Sequence, residues 1–208
     1  MPAKTPVQMT LQEFLGAYDR EGAVVLLEGK RDVREEDKPR LIAIGRLLAS
    51  QSQWITFRSG NAGGSDELFA EGVAAVDSRR MQVILPYTGH RKQQNKAYES
   101  IALDDIDLAM EPEVVYLSKG NEKTKKLIDP FVAGKKDRFT AKAAYIIRDT
   151  VKVAGTKSIP PTAFGIFYDD LAAPMQGGTG HTMRVCIERQ VPLIDQRTWF
   201  GWLTQGDS

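Results

Sequence analysis

The chain has 208 residues, 42% of them hydrophobic, a length that buries one sizeable core in a single domain without covalent or metal staples. Its 28 Lys and Arg against 27 Asp and Glu leave a formal net charge of +1, which excludes a molecule-wide positive field and argues against an obligatory nucleic-acid partner. The single cysteine, Cys186, excludes an intramolecular disulfide, and no long apolar segment follows Met1-Pro2-Ala3-Lys4, so a reducing, cytoplasmic setting without membrane insertion is expected.

In chain order, Thr10-Leu11-Gln12-Glu13 has capping-box spacing and opens a short amphipathic helix through Phe14 and Leu15. Ala23 to Leu27 is a wholly apolar, β-branched run ending at Gly29, which suits a strand covered on both faces. Lys38 to Ser50 reads as a helix with Leu41, Ile44, Leu47 and Leu48 on one side. Trp54 to Phe57 is the next strand, and Asp66 to Val76 the next helix, carrying Leu68, Phe69, Val73 and Val76. Met81 to Leu85 follows as a strand, Asn95 to Leu108 as a helix and Val114-Val115-Tyr116 as a short strand. The polar, lysine-rich stretch from about 118 to 138, punctuated by Gly120, Pro130 and Gly134, breaks the rhythm and reads as a partly helical insertion in the position of a lid. Thr140 to Val151 returns as a helix, Ala163 to Tyr168 as a strand, and Val191 to Ile194 closes the sheet before a terminal helix bearing Trp199, Phe200 and Trp202.

This alternation predicts an α/β fold: a doubly wound, mostly parallel, Rossmann-like sheet with helices on both faces. In such a sheet the strand-to-helix turns share one edge, where ligands bind at a switch in strand order. Four turns then place glycines, hydroxyls and cations on one rim: Gly29-Lys30-Arg31, the segment Arg58 to Asp66, Pro86 to Arg91, and the run Gln176-Gly177-Gly178-Thr179-Gly180-His181-Thr182, which leads from the Ala163–Tyr168 strand into a helix read as starting at Met183. A strand that enters a Gly-rich bend and then a helix leaves backbone N–H groups pointing one way, an anion cradle most often used for phosphate.

Each feature has an ordinary structural alternative. One Gly-rich turn is often only a tight connection, whereas two in one chain, each with Ser or Thr, favour ligand binding. Arg31, Arg58 and Arg91 could each be a solvated cation, and only their shared position after strands gives them weight as a group. His90 and His181 lack carboxylates at ligand spacing, so no metal site and no cofactor are expected. His181 is read equally as a donor beside the turn and as a surface residue. Cys186, one turn after Met183, is read as core packing. Asp104, Asp105 and Asp107 read as a solvated face, and Trp199 and Trp202 as anchors for the last helix. The lysines 119, 123, 125, 126, 135 and 136 with Arg138 are the strongest feature in favour of nucleic-acid contact.

Together, Gly29 and Arg31, the run Ser59-Gly60-Asn61-Ala62-Gly63-Gly64-Ser65-Asp66, the pair Arg148-Asp149, and Gly177 to Thr182 resemble the SLOG superfamily of Rossmann-like proteins, which includes the LOG phosphoribohydrolases and the DNA-processing protein A family. The resemblance spans about Ala23 to Leu193 and treats the chain as one SLOG-type domain. It implies a pocket for a nucleotide or nucleotide-derived molecule, with the last glycine turn on phosphate, the second turn on the ribose or base side, and homodimerisation. The chain also departs from the pattern: Gln176 stands where the LOG hydrolases have a proline, and Met183 and Arg184 stand where their glutamate is expected. Cleavage of a glycosidic bond needs a carboxylate, so hydrolysis would fall to Asp66 or Asp149. Binding or sensing of an anionic nucleotide-like ligand is therefore the leading expectation, through Gly29, Arg31, Ser59, Gly60, Asn61, Gly63, Gly64, Ser65, Asp66, Arg91, Arg148 and the Gly177–Thr182 run. A phosphoribohydrolase-like enzyme comes second and single-stranded DNA binding of the DNA-processing type third.

Overall fold

A computed structural model describes residues 8–204 apart from 121, 136 and 139. Lys136 and the Met1–Lys4 segment lie outside the described residues. Six strands form one sheet in the order β4-β3-β2-β1-β5-β6, every neighbouring pair parallel: β1 (Val24–Gly29), β2 (Thr56–Ser59), β3 (Met81–Leu85), β4 (Glu99–Ala102), β5 (Phe164–Tyr168) and β6 (Leu193–Ile194). The chain builds outward from β1 to β4 on one side, then returns to β1's other edge to lay down β5 and β6. That reversal, between β1 and β5, is the sheet's switch point.

Alternation along the strands separates two cores. Val25 and Leu27, Phe57, Met81 and Val83, and Phe164 and Ile166 face a layer formed by α1 (Leu11–Tyr18), α2 (Lys38–Gln51), α3 (Ser65–Asp77) and α8 (Gln196–Thr204). Leu26, Ile84 and Phe167 face the opposite layer of α4 (Pro112–Lys119), α5 (Glu122–Val132), α6 (Ala141–Ala154) and α7 (Gly177–Glu188). The expected capping box is present, with Glu13 N–H donating to Thr10 Oγ1 and Thr10 N–H to Glu13 Oε2 at 2.8 Å. The two indoles anchor α8: Trp199 Nε1 donates to the Phe167 carbonyl at 2.9 Å and Trp202 Nε1 to the Met9 carbonyl at 2.8 Å. Cys186 is fully buried in the second layer, where burial pushes its thiol well above the usual range.

The segment 95–119 differs from the sequence-based expectation in both elements. Residues 95–108 form no α-helix, because their Asn and Asp side chains take the N–H groups that a helix would use. Asn95 Oδ1 accepts from Ala97 N–H at 2.9 Å, Asp105 from Ala102 and Asp107 from Ala109, leaving Glu99–Ala102 free to pair with β3 as an edge strand. Val114-Val115-Tyr116 is not a strand but the middle of α4. Pro112 and Glu113 start that helix, and Val114 and Leu117, three apart, are buried while Tyr116 is 70% exposed. The second strand also runs two residues later than expected, which places Arg58 within β2 and not in the turn that follows.

Arg58 is fully buried and forms part of a polar row across the sheet, in register with Gln82 of β3, which is itself opposite Glu99 of β4. Its Nε donates to Gln82 Oε1 at 2.5 Å, and Gln82 Nε2 donates to Glu99 Oε2 at 2.6 Å. Nη1 donates to the carbonyls of Lys152 and Pro160 at 3.0 and 2.9 Å, closing the C-terminal end of α6. Arg58 is thus a structural brace beneath the rim.

Candidate functional site

A cavity of about 720 Å³ opens at the C-terminal edge of the sheet, between the ends of β1 and β5. Its walls are Glu28 and Gly29 at the end of β1, Lys30 and Arg31 after it, Ala62 and Asp66, Tyr145, Arg148 and Asp149 of α6, and Gln176 to Thr179, His181 and Arg184 on α7. Thr124 of α5 and Lys142 and Ile146 of α6 complete it, so the lysine-rich insertion reaches the cavity through Thr124. Its lysines are partly neutralised, Lys119 pairing with Asp129 at 2.7 Å and Lys135 with Asp137 at 3.2 Å.

The Gly-rich run near the end of the chain does not precede its helix, as the sequence pattern implied, but is the helix's first turn and a half, beginning at Gly177. Gln176 caps it in an extended conformation without a side-chain hydrogen bond, and Gln176, Gly177 and Gly178 are exposed on the cavity wall, so the uncapped start of α7 lies at the cavity. The preceding loop is pinned on several sides. Asp169 accepts from Met175 N–H at 2.7 Å, the Gln196 amide bridges the Asp169 N–H and carbonyl, and Arg184 donates to the Met175 carbonyl at 3.0 Å. A Cβ on Gly180 would collide with that Met175 carbonyl, so this close approach of loop and helix requires glycine.

The second glycine turn, after β2, closes its amides on the protein's own carboxyl group. Asp66, in the first turn of α3, accepts from Gly60 N–H at 3.0 Å, Ala62 N–H at 3.3 Å and Gly29 N–H at 3.4 Å. Gly64 holds the turn with φ +81° while its Cα packs against the Arg31 backbone, and Ser65 Oγ donates to the Lys30 carbonyl at 2.7 Å. These bonds lock the turn after β2 to the turn after β1. Of the two cradles expected from sequence, one is filled internally and the α7 N-terminus is open.

The floor is a buried charge cluster. Lys152, fully buried, lies 2.5 Å from Glu28 Oε2 and 2.9 Å from Asp149 Oδ1, and Arg148 Nε lies 2.9 Å from the same Asp149 oxygen. Those contacts to Asp149 Oδ1 are ionic without hydrogen-bond alignment, so Arg148 Nε and Asp149 Oδ1 remain buried without an aligned partner. Arg148 also donates to the Gly60 carbonyl, which ties α6 to the second turn. Thr182 Oγ1 donates to Glu28 Oε1 at 2.9 Å.

Burial pushes the Glu28 carboxyl up to about 7; Lys152 pulls it back, and Asp149 and Asp66 push it further. Burial works against ionised Asp149 too, but Arg148 and Lys152 outweigh it and hold Asp149 below the usual carboxylate range. Lys152 is held above its usual range in turn: burial lowers it, and Asp149 and Glu28 more than restore it. Burial lowers His181, with Asp149 opposing, so its ring is neutral at pH 7. His181 Nε2 sits 3.0 Å from Thr150 Oγ1, to which Ser118 Oγ donates at 2.9 Å.

Of the residues named from sequence, the fold brings Gly29, Arg31, Asp66, Arg148, Asp149, Gly177, Gly178, Thr179 and His181 to the cavity wall. Ser59, Gly60, Asn61, Ser65, Gly180 and Thr182 stand behind it as supports: Ser59 Oγ accepts from Asn61 N–H, and Asn61 Nδ2 donates to the His90 carbonyl at 3.1 Å. Gly63 packs against the Arg91 guanidinium, and Gly64 lines a smaller neighbouring groove. Arg91 does not line the cavity; it pairs with Glu67 at 2.7 Å. Sequence reasoning passed over Glu28, Lys152, Tyr145, Lys142 and Arg184. The signal for Glu28 was present, a lone acid ending an otherwise apolar strand.

Among the described residues, no group of three His, Cys, Asp or Glu could hold a metal ion, and no helix is long and apolar enough to cross a membrane. No protein-family model and no curated protein matches the chain. Among solved structures, the chain is similar to DNA processing protein A from Helicobacter pylori, described for its single-stranded DNA binding mode, with 16% identity and a TM-score of 0.49. The match covers 84% of this chain and 65% of that one, so the chain spans under two thirds of that protein's length. Likeness of this degree carries no argument about function.

Proposed function

We propose that the chain binds a nucleotide or a nucleotide-derived anionic small molecule in the cavity at the β1–β5 switch point. The observation that carries it is the open α7 N-terminus, with Gly177, Gly178 and Thr179 on the wall of a cavity whose mouth holds Lys30, Arg31, Lys142 and Arg184. Its volume of about 720 Å³ is that of a site for a small organic ligand. Tyr145 gives one wall a half-buried aromatic ring, 5.7 Å from the His90 ring. In this reading α7 holds phosphate by backbone N–H groups and the helix dipole, and the turn around Asp66 shapes the site. The motifs shared with the SLOG superfamily support the same assignment. A thermal-shift screen against nucleotides tests it: a ligand at a hundred times its dissociation constant stabilises the fold by about 2.7 kcal/mol. A melting point indifferent to every nucleotide would remove the proposal.

A hydrolytic role is the second reading, favoured by one observation. Glu28 lines the cavity with its carboxyl poised near neutrality, the condition a general acid needs, whereas Asp66 is held by three N–H groups and Asp149 by two cations. Chromatography for released base after incubation with nucleoside 5′-phosphates separates binding from cleavage.

A further inference from the structure

Two facts about the cavity floor pull against the anion site above it. The cations Lys152 and Arg148 are both already engaged by carboxylates. Those carboxylates also approach the first turn of α7: Asp149 Oδ2 is 3.2 Å from where a Cβ of Gly178 would stand, and Thr182 Oγ1, which donates to Glu28, is also 3.2 Å from the Gly178 carbonyl. An anion seated on this turn meets ionised Asp149 and Glu28 at close range inside a site where Glu28, Arg148, Asp149 and Lys152 are all nine-tenths or more buried. Like charges so placed repel strongly.

Resting on the anion-binding proposal, we infer that the cavity takes up its anionic ligand together with a proton from solvent, and that Glu28 is the group that holds it. Every charged or titratable neighbour of Glu28 is consistent with that choice. From α6, Asp149 keeps both Arg148 and Lys152 as ionic contacts, so it stays ionised, and Lys152 is kept charged. From α3, Asp66 has three N–H donors of its own. From α7, Cys186 is a buried neutral thiol and His181 a neutral ring bound through Nε2 to Thr150. Glu28 keeps one cation, Lys152, where Asp149 keeps two, so it loses least by accepting a proton. Neutralising it releases Lys152 from one of its two carboxylates, so its positive field acts on the incoming anion. The ligand class follows: an anion whose affinity strengthens as pH falls.

Isothermal titration calorimetry of the whole chain with inorganic sulfate, in two buffers of different ionisation enthalpy, tests this directly, because sulfate does not itself titrate near neutrality. Above the Glu28 midpoint the expected result is uptake of about one proton per sulfate and an affinity that falls about tenfold per pH unit. In Glu28→Gln, both the uptake and the pH dependence disappear. Sulfate binding without uptake, or uptake that persists in Glu28→Gln, overturns the proposal and leaves the anion site standing. Failure of both sulfate and inorganic phosphate to bind at any pH overturns the anion site and this inference with it. Thr182→Val is the second variant should Glu28→Gln not fold. Loss of the hydroxyl that steadies ionised Glu28 moves the onset of weakening to higher pH, and an unmoved onset refutes the role of Glu28.

Discussion

Replacing Glu28 by glutamine changes the pH dependence of folding in a direction fixed by its surroundings. The folded-state carboxyl is raised from 4.5 to about 7, so the native protein holds this proton more tightly than the unfolded chain does. The stabilisation from this group is therefore full below the unfolded value and is lost as pH rises through about 7. A shift of that size corresponds to about 3 kcal/mol, undiluted by solvent because the group is buried. Glutamine keeps the shape and cannot titrate, while Lys152 retains Asp149 at 2.9 Å. Relative to wild type, Glu28→Gln should gain about 3 kcal/mol between about pH 3.5 and about pH 8, or roughly 10 °C in melting temperature for a chain of this size. Urea unfolding of both proteins at a series of pH values measures the difference. Parallel stability curves across that range would refute the assignment of the shifted proton to Glu28.

Other substitutions separate support from recognition. Asp66→Ala leaves the Gly29, Gly60 and Ala62 N–H groups without their acceptor, costs about 1–3 kcal/mol, and should be partly restored by formate or acetate in a thermal melt, by more than the same salt raises wild type. Arg58→Met abandons Gln82 and the carbonyls of Lys152 and Pro160, so denaturant unfolding should show a loss of at least about 3 kcal/mol, ligand or no ligand. Gly180→Ala drives a methyl into the Met175 carbonyl, costing about 1–3 kcal/mol and abolishing ligand-induced stabilisation by displacing the start of α7. Lys142 is exposed on the cavity wall, so Lys142→Ala should leave stability within about 1 kcal/mol while weakening nucleotide affinity and flattening its salt dependence in titration calorimetry.

What the sequence made legible followed from strong local signals. The apolar run at Val24–Leu27, the helix-period residues Leu41, Ile44 and Leu48, and the alternation of the two define the doubly wound sheet before any coordinates. That the turns after β1 and β2 and the Gly177–Thr182 run meet at one edge could be anticipated as well, because strand-end loops must share an edge in a parallel sheet. Residues 95–119 escaped this treatment because side chains competing for backbone N–H groups and one proline override apolar spacing there. The interior of the site was harder. Arg58 and Lys152 resemble surface cations in a list of residues, and only the packing of α6 on the sheet shows both fully buried. Nor could the sequence tell that the amides of the Gly60–Gly64 turn close on Asp66 and not on a ligand, since both uses require the same glycines.

Backbone amide NMR during titration with a nucleoside 5′-phosphate reports most directly on where an anion sits. Resonances of Gly177, Gly178 and Thr179, and of Arg31 after β1, should move together with ligand while the lysine face at Lys126 and Lys135 stays still. Shifts confined to that lysine face, with the first turn of α7 silent, would contradict a phosphate site at the switch point.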